Sequence, residues 1–505
     1  MLTRFAAVDL IPDFREDSRM KILMASPECY PYATVGGLGD VVGALPIYLS
    51  QLGHDVRVCL PLYGAIQPQD SWKAYDNVVV HLGGHERICR IWEYTNRTIV
   101  YYFIEYQQYF GRYEIYDGPW GPHFDNGERF AFFSRAVLDL CYSLKWYPDV
   151  LHCHDWTTGL IPVCINTREC NQKLNRTATV FTIHNLEHQG IFAPDILAYA
   201  GIPFSEYRCD SLESVGTVNF MKGALFHATK LTTVSPNYAR EIQTHVGGCG
   251  LHAVLKFKAG DLIGILNGID KKLWNPSTDA FLPATYSARN LAGKGICKQH
   301  LQRYFNLKID PHVPVYGVVS RLYFQKGFDI LLDILPSLLS KLRIQMVVLG
   351  NGEGSWEQRF CEIAGKYPQQ LGVCIGFDTS LAHLIEAGSD LFVMPSRFEP
   401  CGLNQMYSMR YGTLPIVRNT GGLADTVHSL DETTGKGTGF AFNELTQDAL
   451  ANTIGWACAT YYDRPQTFAS MQQQAMRIDF SWHKAAKAYE QVYQWAIQAR
   501  RKHIQ

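Results

Sequence analysis

Short apolar runs of strand length recur along the chain, each followed by a polar or glycine-rich turn and then by apolar positions at helical spacing. The first series comprises Lys21-Ile-Leu-Met-Ala-Ser26, Val56-Arg-Val-Cys-Leu60, a run around Tyr101 to Phe103, and runs at 149–156, 179–184 and 262–266. Helical patterns lie over 41–52 and 128–144, and Pro46 inside the first is expected to kink it or end its first segment. A second series starts at Val315-Tyr-Gly-Val-Val-Ser320 and continues with runs at 344–349, 373–375, 391–394 and 414–417, alternating with helices. A helix over 288–304 precedes it. This alternation predicts an α/β protein with two Rossmann-like sheets whose strands deliver polar residues at their carboxyl ends.

A chain of 505 residues exceeds what one core holds, so two domains are the default. We expect a mobile lead-in over 1–19, domains over 20–262 and 263–480, and a terminal helix over 481–505. In that tail Trp482, Ala485, Tyr489, Val492, Tyr493 and Ala496 form one apolar stripe behind Ser481 as N-cap, so it is expected to pack back across the domains. Net charge −1 gives no reason to expect nucleic acid or an anionic membrane as partner, and no apolar span is long enough to cross a bilayer. Fourteen scattered cysteines without a CxxC fit reduced thiols in a cytoplasm, and the acidic first twenty residues make a poor secretion signal.

Candidate chemistry concentrates in Pro395-Ser-Arg-Phe-Glu-Pro-Cys-Gly-Leu403, which closes the run at 391–394. A carboxylate there, Glu399, sits where open α/β sheets bind ligands, and the N–H groups from Cys401 to Asn404 at a helix start suit phosphate. Thr420-Gly-Gly-Leu423 offers a second such turn after the next strand. The plainer reading is an ordinary loop with a solvated acid. Arg321 and Lys326 follow the first strand of the second unit, where two cations would hold a diphosphate or simply face solvent.

In the first unit, Thr34-Val-Gly-Gly-Leu-Gly39 opens a helix with backbone N–H groups suited to a pyrophosphate, although glycines also serve close helix–sheet packing. It matches neither GxGxxG nor a Walker loop. Tyr109 and Tyr113 lie among polar residues as candidate sugar-stacking rings, or as parts of a lid packed on itself. His152 and His154 share a strand face, which is metal-ligand geometry, yet Trp156-Thr-Thr158 follows where further ligands belong, and no Asp-x-Asp occurs. No metal is expected.

These stretches together resemble the bacterial glycogen synthases and plant starch synthases, retaining glycosyltransferases of family 5 with the two-domain GT-B fold around a central cleft. The resemblance rests on Val35-Gly-Gly-Leu-Gly-Asp40, His154-Asp-Trp156, His184-Asn185, Asn267-Gly-Ile-Asp270 with Trp274-Asn-Pro276, Ser320-Arg-Leu322 with Gln325-Lys-Gly327, the 395–403 run, Met409-Arg-Tyr-Gly412, and Thr420-Gly-Gly-Leu423 with Asp425-Thr426. It implies transfer of glucose from ADP-glucose to the non-reducing end of an α-1,4-glucan with retention, and no cofactor beyond that co-substrate. It further implies that Glu399 is the essential carboxylate, that Arg321 and Lys326 neutralise the leaving diphosphate, and that His154 and Asp125 sit beside the sugar. The implied donor-binding set is Thr34, Gly36, Gly37, Asn267, Cys401, Gly402, Leu403, Thr420 and Gly421, with Phe377 where the family usually stacks a Tyr on the base. One position departs: Thr34 stands where the family's glycine loop has lysine. The readings that follow are an active synthase or a catalytically weakened homologue that binds or primes glucan. A phosphorylase on the same fold would require pyridoxal phosphate.

Overall fold

The computed structural model describes residues 19–118 and 121–504, so all but the last residue of the expected lead-in lies outside it. The strands of the first sheet are β1 (Lys21–Ala25), β2 (Asp55–Pro61), β3 (Lys73–Leu82), β4 (His85–Asn96), β5 (Ile99–Glu105), β6 (Val150–His154), β7 (Ala178–Ile183), β8 (Lys230–Thr233) and β9 (Leu262–Gly264). Their spatial order is β9-β8-β7-β6-β1-β2-β5-β4-β3. From β9 to β5 every pairing is parallel, with Met24 of β1 opposite His152 on one side and Val58 on the other. The β3–β4 hairpin and its pairing to β5 are antiparallel.

The second sheet contains β10 (Val315–Val319), β11 (Gln345–Gly350), β12 (Leu371–Ile375), β13 (Leu391–Met394), β14 (Leu414–Arg418) and β15 (Phe440–Phe442). All its pairings are parallel, in the order β12-β11-β10-β13-β14-β15. Central strands such as β6, β7 and β11 are buried along their whole length, which is why they read as unbroken apolar runs. In both sheets the strand order reverses beside the first strand, between β1 and β6 and between β10 and β13. Crevices at such switch points are where open α/β sheets take ligands.

Helices that bear on the site are α1 (Gly37–Gln51), α2 (Asn126–Leu144), α3 (Pro236–Glu241), α4 (Asn404–Arg410), α5 (Gly421–Thr426) and α6 (Trp482–Ile504). Contrary to the expectation for Pro46, α1 continues through it as one helix. The ring removes the N–H that would bond Val42 C=O, and that carbonyl instead accepts the Cys29 thiol at 3.5 Å. The expected helix over 288–304 begins later, at Ala292, because 287–290 form a turn closed by Ser287 and Asn290.

The terminal helix α6 starts at a bridge between Ser481 and Ile269 and lies against α1, β6, β7 and β8 of the first sheet. Its stripe residues Trp482, Tyr489, Val492, Tyr493 and Ala496 are all buried. Each fully buried large apolar side chain contributes about 2 kcal/mol, enough in sum to hold the helix across the domains. Polar clamps fix its register: His54 Nε2 meets Glu490 at 3.0 Å and Tyr493 OH meets His152 Nδ1 at 2.9 Å. Among the described residues no helix is long and apolar enough to cross a membrane, and every cysteine is a free thiol.

Candidate active site

The two switch points face each other. The glycine loop after β1 reaches the turn after β13, so that a Cβ on Gly37 would lie 3.8 Å from Leu403 Cδ1. On the β13 side, Glu399 is 6% exposed, and its Oε2 accepts from Lys326 Nζ at 2.6 Å and from Ser396 Oγ at 3.0 Å. Lys326 comes from the loop after β10. That loop lies against the β13 turn because Gly327, at φ +70°, has no Cβ; one there would fall 2.1 Å from Pro395 O. Arg397 N donates to Gln325 O at 2.8 Å and locks the two turns together. Among the described residues, the N–H groups of Cys401, Gly402 and Leu403 have no partner. Arg321 is exposed, with its guanidinium 5.6 Å from the Tyr323 ring. Phe377 is 88% exposed after Gly376, leaving its ring free for stacking.

On the β1 side two of the glycine-loop donors that the sequence offers to a pyrophosphate, Val35 N and Gly36 N, are already taken. Glu28, just past β1, accepts from Val35 N at 2.6 Å and Gly36 N at 3.0 Å through Oε2, and from Tyr116 OH at 2.6 Å through Oε1. Burial raises this carboxyl above its ordinary value, and those hydrogen bonds and the nearby Arg321 charge offset only part of that rise. Thr34 is exposed and its side chain lies over Gly39, whose Cβ would be 2.8 Å from it. Glu28 is a site residue the motif reading missed. The available signal was its place, an acid at the carboxyl end of the first strand.

His154 ends β6, fully buried, with Nδ1 2.9 Å from His184 Nε2 at the end of β7 and with Nε2 unpartnered among the described residues. Asp155 holds this pair in place. At φ 56° and ψ −179° it occupies a region costing a non-glycine residue about 1–3 kcal/mol, and its Oδ1 accepts His184 N at 2.7 Å. Burial raises its carboxyl to about 8. His152 is engaged on both nitrogens, by Thr182 Oγ1 at 2.6 Å and by Tyr493, which accounts for the paired histidines without a ligand role. Asp125 stands at the start of α2 in a bidentate pair with Arg112, both contacts 2.6 Å. Burial pushes its carboxyl up, but the Arg112 hydrogen bonds and charge outweigh this and leave it below the ordinary range.

Three of the proposed contacts are corrected by the geometry. Thr420 and Gly421 do not offer free donors: Gly421 N donates to Glu241 Oε1 at 2.9 Å and Thr420 Oγ1 to the same carboxylate at 3.2 Å. Their glycines serve close packing, since a Cβ on Gly421 would fall 1.9 Å from Glu399 O and one on Gly422 2.2 Å from Cys401 O. Tyr109 is a core residue, buried against Tyr106 and Phe132 with its hydroxyl 2.6 Å from Tyr199 OH, so no sugar reaches its ring; Tyr113 stays 73% exposed. Asn267 is buried at the domain junction with Oδ1 unpartnered among the described residues. It lies beside the close approach of Gly268 to Trp482 N, where a Cβ would be 2.6 Å away.

The buried histidines carry a pH prediction. Burial holds His152 and His184 down at about 3 and His154 well below its ordinary value. Unfolded histidines titrate near about 6.5, so below that pH the unfolded chain binds protons that the folded one refuses. The histidines' share of stability is therefore full above about 6.5 and is lost progressively towards about 3, whereas Asp155, raised to about 8, acts in the opposite direction over the same window. The histidine share is read as a drop in urea midpoint across that window in wild type relative to a histidine variant. Replacing His152 by Gln, which keeps hydrogen-bonding capacity, should flatten the drop; an unchanged slope refutes the assignment.

Two facing Rossmann-like domains with a carboxylate, paired cations and free N–H donors at their switch points define a GT-B glycosyltransferase. The family described as "Starch synthase catalytic domain" matches residues 21–257, and that described as "Glycosyl transferases group 1" matches 303–470. Glycogen synthase 1 of Geobacter sulfurreducens is 44% identical over 490 residues, covering 96% of this chain and 97% of that protein. The glycogen synthase of Geobacillus stearothermophilus is 43% identical over 95% of this chain and 98% of its own length. The catalytic domain of starch synthase IV from Arabidopsis thaliana superposes with a TM-score of 0.88 at 35% identity, over 95% of this chain and all of that one. Sucrose-phosphate synthase from Thermosynechococcus elongatus, at 18% identity and a TM-score of 0.59, shares the fold. The chain belongs to the glycogen and starch synthase family.

Proposed function

We propose that the chain transfers glucose from ADP-glucose to the 4-hydroxyl at the non-reducing end of an α-1,4-glucan, with retention of configuration. The observation that carries this is the Lys326–Glu399 pair, 2.6 Å apart, beside the unpartnered N–H groups of 401–403 and facing the glycine loop. ADP is favoured as the nucleotide because the starch synthase IV structure of like fold is bound to ADP and acarbose.

As the bond from C1 of the sugar to the diphosphate breaks, negative charge grows on the leaving oxygens. Fixed cations and N–H donors stabilise that charge more in the transition state than in the ground state. Arg321, Lys326 and the 401–403 backbone have this role. Without donor, Lys326 neutralises Glu399. A diphosphate that takes over the ammonium leaves the Glu399 charge facing the glucose, so donor binding itself prepares the carboxylate. His154, buried and neutral, and Asp125 line the sugar from the other domain. ADP-glucose is the co-substrate, with no other cofactor, and the free thiols suit work in a reducing cytoplasm.

Radiolabelled glucose transfer to glycogen from ADP- and UDP-glucose tests this. Preference for ADP-glucose is expected; preference for UDP-glucose overturns the donor, and transfer from neither overturns the reaction. Arg321→Ala, removing an exposed cation, should weaken ADP about tenfold and cut turnover, while EDTA leaves the wild type unchanged. Activity lost in EDTA and restored by Mg²⁺ shows that a metal, not this arginine, carries the diphosphate.

A further inference from the structure

A carboxylate from each domain crosses to the start of a helix in the other. Asp425, near the end of α5, accepts from Ser235 Oγ at 2.5 Å and from Asn237 N at 2.9 Å, at the start of α3. Glu241, the last residue of α3, accepts from Gly421 N at 2.9 Å and from Thr420 Oγ1, at the start of α5. Ser235 is the N-cap of α3 and Thr420 that of α5, so the two short helices cap each other reciprocally. Ser235 and Thr420 are buried, and Asn237 Nδ2 steadies the Glu241 carboxylate at 2.8 Å. Charge-assisted hydrogen bonds of this kind are short and directional.

Each helix is also tied to one half of the catalytic apparatus. In α3, Tyr238 OH accepts Leu186 N at 3.1 Å, two residues beyond His184. At the start of α5, Gly422 N donates to Glu399 O at 3.1 Å, and the missing Cβ atoms of Gly421 and Gly422 let that helix lie on the backbone of 399–401. A continuous path therefore runs from the His154–His184 pair through α3, across the two carboxylates, into α5 and on to Glu399. We propose that Glu241 and Asp425 are positioning residues that set the register of the His154 half of the site against the Glu399 half. Both carboxylates are already engaged by the opposite helix start. The inference rests on the glucosyltransferase reading only for its kinetic readout.

The test uses Glu241→Ala and Asp425→Ala in the full chain, with Glu241→Gln and Asp425→Asn as conservative partners. Misregister of the two halves should lower kcat about tenfold or more. The Kd of ADP should stay within about twofold, because the groups assigned to its diphosphate, Arg321, Lys326 and the 401–403 backbone, all lie in one domain. Gln and Asn keep an acceptor oxygen and should restore most of the turnover. If the two caps act as one joint, the double Ala variant should lose no more than the worse single one, whereas independent caps would add. Small-angle scattering of the free variants should differ from wild type. Should the Ala variants not fold, Thr420→Val deletes only the hydroxyl contact to Glu241 from the opposite side and is read the same way, with a smaller drop in kcat. Folded variants with unchanged kcat and scattering overturn the proposal. So does a loss of ADP affinity in step with kcat, which marks a damaged donor half rather than lost register. If the wild type transfers no glucose at all, the functional reading fails, and the scattering comparison, which needs no substrate, still decides the joint.

Discussion

Glu399→Gln is expected to fold normally and to lose at least ~100-fold in turnover, since one preorganised electrostatic contact to a transition state is worth about 3 kcal/mol. The side chain is almost fully buried between Lys326 and Ser396, so glutamine fits the same space and keeps an acceptor for both donors. What it removes is the charge. That has a second consequence, opposite in sign. With no carboxylate opposing it, the Lys326 ammonium is freer to meet a diphosphate, so ADP binding should hold steady or tighten while kcat falls. Measuring the two together separates a lost catalytic charge from a collapsed site. Turnover near wild type removes Glu399 from the mechanism, and ADP affinity falling with kcat means that the turn at 395–403 was disturbed instead.

How far the sequence reveals this arrangement depends on whether the determining contact is local. Strands buried on both faces, such as β6 and β11, announce themselves as apolar runs, and the rule that ligands gather at their carboxyl ends marks Glu399, Arg321 and Lys326 as candidates beside plainer readings; the family resemblance supplied their roles and that of His154. The β3–β4 hairpin escaped because most of its positions face solvent and its one continuous apolar run, Val78-Val79-Val80, is short; a further signal was the Gly83-Gly84 turn, both residues at positive φ. Gly421 and Gly422 were misread because a glycine needed for backbone contact looks the same as one needed for phosphate. Only the structure shows that what they meet is the 399–401 backbone. Of the two readings open for Tyr109, the packed one holds: its ring lies against Tyr106 and Phe132 rather than among its polar sequence neighbours. Glu241 carried no signal, and Asp425 entered only as part of the family resemblance with no role attached, since their partners lie in the other domain, 179 to 190 residues away.

Thr34→Lys is expected to tighten ADP-glucose binding by roughly 10–100-fold without changing the product. The position belongs to the loop that meets Leu403 across the cleft, where the resemblance to glycogen and starch synthases leads one to expect lysine. Threonine there supplies at most one neutral hydrogen bond, and a charge-assisted contact is worth about 1.5–3 kcal/mol. The structure adds two facts that bear on the outcome. Thr34 is exposed and rests on Gly39, so a longer side chain has a way out into the cleft without displacing the core. Beneath the loop lies Glu28, buried and holding Val35 N and Gly36 N, with Arg321 close enough for its charge to be felt. A new ammonium therefore has two anionic partners to choose between, Glu28 and the donor diphosphate. If it takes the diphosphate, the KM for ADP-glucose falls and kcat is preserved. If it takes Glu28, the hydrogen bonds that shape the glycine loop are strained and binding weakens. Titrating ADP-glucose into both proteins distinguishes these outcomes, and pairing Thr34→Lys with Glu28→Gln identifies the partner. A gain in affinity that appears only in the double variant assigns the ammonium to Glu28. No gain in either means that the missing cation does not limit donor binding in this enzyme.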